Sequence, residues 1–132
     1  MADQDVRQEP PFSADERAML ENWLDFHRAT LRFKCQGLSG EQLTRASVPP
    51  STLTLLGLVQ HMTLVEWWWF ERVFADNGQP APFETHGNPE YEFEILVAET
   101  AGEALEQFAV YCQRARDAIA ESSLDDLSQS TE

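Results

Sequence analysis

The stretch "LVQHMTLVEWWWFERVF", Leu58 to Phe74, decides how this chain is read. It sets a histidine inside a helix-like apolar run, five residues before Glu66 and six before three consecutive tryptophans. Working outward, apolar residues occur at Leu55, Leu56, Leu58, Val59, Met62, Leu64, Val65, Trp68, Trp69 and Val73. At 3.6 residues per turn they cover most of a helix circumference. The run therefore predicts the central helix of the fold, from Ser51–Thr54 to about Ala75, stopped by "DNG".

Two further helices flank it. "SADE" predicts a start at Ser13 with a capping box closed by Glu16, and Gly37 suits the stop after about Gln36. Leu20, Trp23, Leu24 and Leu31 mark its apolar side. "LSGEQL" predicts a short turn capped by Ser39, and "VPPS" ends that segment. The last helix is expected from Thr100, boxed with Glu103, to about Glu121, on the stripe Leu105, Phe108, Ala109, Cys112, Ala115 and Ile119. Residues 76–97 hold three prolines and two glycines and read as a long connection. "YEFEILV" within it alternates like an extended piece, but a lone strand has no partner. Its acidic residues, with those up to Glu106, read as a solvated surface.

These elements predict an all-α, up-down helical bundle with three long helices and a long crossover. A disordered arm is expected at 1–12, one domain at 13–127 and a polar tail at 128–132. Net charge is −14, from 23 acidic and 9 basic residues, which argues against nucleic acid and anionic membrane surfaces as partners. No run is long and apolar enough to span a bilayer, and the polar N-terminus lacks a signal-peptide core, so a cytoplasmic location is expected. Cys35 and Cys112 do not make a disulfide framework. Cys112 reads as core, and Cys35, beside Lys34 near a helix end, has a minor claim to reactivity.

The segment "LTLLGLVQHMTLVEWWWFERVF" (53–74) resembles the second-helix motif of the DinB-like superfamily. The branch is the one that includes mycothiol-dependent transferases and actinobacterial mini-circle proteins. The resemblance extends over "ERAMLENWLDFHRATLRFKCQGLSGEQL" (16–43) and "ETAGEALEQFAVYCQRARDAIAESSLDDL" (99–127). It implies a four-helix bundle with one long crossover. It also implies a divalent metal, zinc or nickel, held by one histidine from the second helix and two ligands at i, i+4 on the fourth. His61 matches the first ligand. No HxxxH or ExxxH occurs, so the resemblance implies an incomplete metal site in a domain lacking its fourth helix. In such a site the metal would lower the pKa of a bound water or thiol. The implied function is a metal-dependent, mycothiol-type thiol transferase or hydrolase relative, with a small-molecule thiol or electrophile as partner.

The alternative is a non-catalytic helical protein that forms a homodimer through its exposed central-helix surface. An exposed tryptophan among Trp67, Trp68 and Trp69 would mark that surface. His27 reads as a polar residue at a stripe edge and His86 as a loop residue. Glu66 lies about 140° around the helix from His61, so the two are not paired as ligands. A contact with Arg28 or Arg72 suits Glu66 better.

Overall fold

The computed structural model describes residues 5–131. Expectations for residues 1–4 and 132, at the ends of the arm and the tail, lie outside the described residues. Among these residues every regular element is helical, as the apolar spacing predicts. In chain order they are α1 (Glu16–Cys35), α2 (Gly40–Leu43), α3 (Leu55–Glu66), a π-helical segment (Trp67–Ala75), α4 (Tyr91–Glu94), a 3-10 turn (Ala98–Thr100) and α5 (Ala101–Ile119). The chain forms two compact units, one ending at Leu38 and one beginning at Ser39.

The first unit is built on α1. Its cap is Asp15, not Ser13: the Asp15 carboxylate accepts from the Ala18 amide at 2.8 Å. Asp15 keeps an extended backbone, so the chain turns helical two residues later than the capping-box reading expects. The stop is as predicted, with Gly37 at φ 76° just past the end. Ahead of α1, Arg7 lies over the rings of Phe26 and Phe33, 5.2 and 4.6 Å from their centroids. It also donates to the Thr30 hydroxyl at 3.2 Å and pairs with Asp5.

The second unit holds the central helix. The Ser39 capping box forms, with Gln42 as its reciprocal partner. Thr54 caps α3 by accepting from the Gly57 amide at 2.9 Å. α3 packs against α5. The buried residues there are Leu56, Val59 and Thr63 from α3, and Phe108, Tyr111, Cys112 and Ala115 from α5. The predicted box at the start of α5 does not form. Thr100 makes no side-chain cap and instead donates its hydroxyl to the Val97 carbonyl, closing the 3-10 turn that leads into the helix.

The central helix changes register at Trp67. Besides Gly57, buried positions on α3 step 56, 59, 63, 66, an α-helical stripe, and the next is Glu71, five residues on. Five residues of α-helix would rotate Glu71 about 140° from Glu66. The i→i+5 bonding of a π-helix returns it to the same face. The segment ends at Asp76 in the left-handed region, φ 47°. The tail covers its free carbonyls: the Gln129 and Ser130 amides donate to Phe74 and Val73 at 2.8 and 3.1 Å.

"YEFEILV" is not extended. Its first four residues form α4, which packs on α3. The Asn88 side chain accepts from the Glu90 amide at 2.9 Å and turns the chain into it. Gln60 of α3 then donates to the carbonyls of Glu92 and Ile95, at 2.8 and 3.1 Å, satisfying acceptors that a one-turn helix leaves open.

Candidate active site

His61 lies in the middle of α3, and α4 supplies what stands opposite it. Its Nδ1 lies 3.1 Å from Oε1 of Glu92. The ring sits 4.8 Å from that of Phe93, tilted by 32°. The His61 side chain is 37 % exposed, whereas that of Glu92 is 6 % exposed. The pair therefore joins a buried carboxylate to an imidazole at the surface of a cleft. Burying a carboxylate is costly unless hydrogen bonds compensate, and His61 provides one.

The cleft has a volume of about 460 Å³. Trp67, Trp68, Trp69, Leu64 and Val65 wall it from the central helix, and Phe83 and Ala81 from the connection. The Trp67 indole donates to the Gln79 carbonyl at 3.0 Å, which ties the start of the connection to the π segment. The walls are mainly apolar, and His61 and Glu84 bring the ionisable groups. Such a cleft can shelter an apolar molecule beside one imidazole, which can take up a proton or ligate a metal.

The other candidates are placed elsewhere. His27, on α1, is exposed with its ring 5.9 Å from that of Trp23. His86 is exposed in the connection at φ 53°, its ring 5.9 Å from that of Tyr91. Cys35 is buried, and that burial pushes its thiol pKa up, the opposite of what a reactive thiolate needs. Cys112 is buried on α5, as the stripe predicts. Glu66 is buried in α3. Of the three tryptophans, Trp68 and Trp69 are 43 % and 57 % exposed.

A second cluster lies at the far end of the central helix. Arg114 of α5 donates from Nε and Nη2 to Oε1 of Glu71, at 3.1 and 2.6 Å. Its guanidinium also lies 4.4 Å from the centroid of Tyr111. Burial works against the Arg114 charge, but the hydrogen bond and charge of Glu71 outweigh it and hold the pKa above its usual value. Oε2 of Glu71 is buried without a hydrogen-bond partner.

These residues do not complete a metal centre. Among the described residues no three histidine, cysteine, aspartate or glutamate side chains gather to hold an ion. His61 and Glu92 are two potential ligands, and they are bonded to each other. A closed or catalytic zinc site requires at least three protein ligands.

Reading the sequence alone misses Glu92. It falls in an acidic connection read as solvated, and an extended "YEFE" would treat it as one of several surface carboxylates. Only the helical turn carries Glu92 inward while leaving Glu90 and Glu94 exposed.

The fold and the cleft define an all-helical protein with a histidine set at the edge of an apolar pocket. The mycothiol-S-transferase family model matches residues 19–132, and the chain belongs to that family. No curated protein and no solved structure matches the chain. Among the described residues no helix is long and apolar enough to cross a membrane.

Proposed function

We propose that this protein transfers or acts on the sulfur of a small thiol of the mycothiol type, with the His61 cleft as the reaction site. The observation that carries the reading is the position of His61, the imidazole at the edge of a pocket walled by Trp67, Trp68, Trp69 and Phe83. An S-transfer needs a base for the thiol proton and a dry wall for an apolar electrophile. The imidazole accepts the proton, the sulfur forms a bond to the electrophilic carbon, and the leaving group departs with its electron pair. A divalent metal, zinc or nickel, would if bound supply a lowered thiol pKa. His61 is the residue proposed to meet it, and a metal on its free nitrogen would replace its role as the base. The described residues do not supply the remaining ligands, so no step is derived through the metal.

The test is transfer of a mycothiol-type thiol to an alkylating electrophile, with metal analysis of the same material. Wild type is expected to accelerate the transfer, and His61→Ala to lose that acceleration while keeping its helical circular dichroism. Equal rates in the two proteins would remove the cleft as the site.

A second reading is favoured by the exposure of Trp68 and Trp69. In it the chain is a non-catalytic helical protein that pairs with a second copy through this surface. Exposed aromatic clusters of this kind mark association surfaces. A single monomeric species by sedimentation at every concentration would dismiss it.

A further inference from the structure

We propose that Glu92 is a positioning residue: its buried carboxylate holds His61 in the tautomer protonated on Nδ1. The inference deepens the reading of the cleft as a reaction site and rests on it for its functional consequence.

The donor inventory carries the first step. An ionised carboxylate only accepts hydrogen bonds, so with Glu92 ionised the Nδ1 of His61, 3.1 Å from Oε1, is the nitrogen that carries the proton. A neutral imidazole has a single N–H. Nε2 is then the nitrogen with the free lone pair, on a ring that lines the cleft. Among the described residues no other hydrogen bond engages the ring. A histidine whose one nitrogen is held by a carboxylate presents the other as a fixed and more basic acceptor, whether its target is a thiol proton or a metal ion.

Docking of α4 does not by itself explain the pair. Gln60 already holds the Glu92 and Ile95 carbonyls. The backbone of Phe93 also packs on α3, where a Cβ at Gly57 would make ordinary contact with the Phe93 Cα at 3.4 Å. An apolar residue at position 92 would complete the contact without the cost of burying a charge. What Glu92 adds is direction. The Phe93 ring, 4.8 Å from the imidazole, restricts the ring plane while the carboxylate chooses the nitrogen.

The experiment reads the tautomer directly. In histidine-labelled protein at about pH 8.5, above the ordinary histidine range, long-range nitrogen–proton spectra distinguish the two N–H forms. Wild type is expected to show His61 protonated on Nδ1. Glu92→Gln keeps an acceptor oxygen and should retain that form. Glu92→Leu should turn the ring predominantly to the Nε2–H form that free imidazole prefers. An Nε2–H His61 in wild type overturns the proposal even if no variant folds, as does an unchanged Nδ1–H form in Glu92→Leu.

Turnover separates this inference from the one beneath it. If both hold, Glu92→Leu should lower kcat on the order of tenfold with KM little changed, and Glu92→Gln should recover much of the loss. A flipped tautomer with unchanged turnover would leave Glu92 as the positioning residue and remove the cleft as the reaction site.

Discussion

At the scale of single residues, this protein stabilises buried charges through specific partners. Glu71 is 2 % exposed, and Arg114 is its cation. Removing the guanidinium would leave a carboxylate in the helix interface with no charged partner. Arg114→Met is therefore expected to cost about 2–3 kcal/mol, below the full price of a buried pair because Arg114 reaches solvent. Adding Glu71→Gln should restore part of that loss, since the double variant has no charge left to strand. Urea unfolding of both variants checks the pair, and equal stability in the single variant and wild type would refute it. Cys35 gives a prediction of opposite sign. Its thiol pKa is raised by burial, so the folded state keeps its proton where the unfolded chain gives it up. That contribution is complete below the ordinary thiol range and is lost as pH rises from that range through the raised pKa of the folded state. Stability should therefore decline on the alkaline side, and Cys35→Ser should flatten the decline.

At the scale of elements, close approach and capping decide what stays in place. A Cβ at Gly40 would fall 2.0 Å from the carbonyl oxygen of Ala98, so α2 and the 3-10 turn touch only because position 40 has no side chain. Gly40→Ala should destabilise the second unit by about 1–3 kcal/mol, measured by thermal unfolding, because a backbone oxygen cannot step aside like a flexible side chain. α4 depends on Gln60. In Gln60→Ala, amide exchange at 93–95 should accelerate strongly while the amides of α3 stay protected. Uniform acceleration in both would mean that Gln60 supports α3 itself. The long elements were legible because their apolar residues repeat at helical spacing, as the α5 stripe illustrates. The π segment was not legible. Its buried marker is Glu71, a charged residue that no apolar pattern selects, and three adjacent tryptophans fit any helical register. α4 was hidden because four residues are too few to separate alternation from a single helical turn.

At the scale of the whole molecule, charge and exposed aromatic surface oppose each other. His61 was legible as a candidate through its motif, but the carboxylate it meets, Glu92, sits 31 residues away across a connection whose local pattern carries no such signal. The same holds for the apolar surface. The central helix reads as apolar nearly all round, and the tryptophans it leaves exposed are Trp68 and Trp69. Any pairing of two copies through that surface must work against a net charge of −14 on each. Screening weakens the repulsion, with a Debye length of about 10 Å at 0.1 M salt and about 3 Å at 1 M. Burial of indole surface does not weaken with salt in the same way. Association through the tryptophans should therefore strengthen as sodium chloride is raised from about 0.02 M to about 0.5 M. Trp69→Ser should abolish it at both ends of that range. Sedimentation velocity across the series decides the matter: association that falls with salt would assign the contact to ion pairs and acquit the tryptophans.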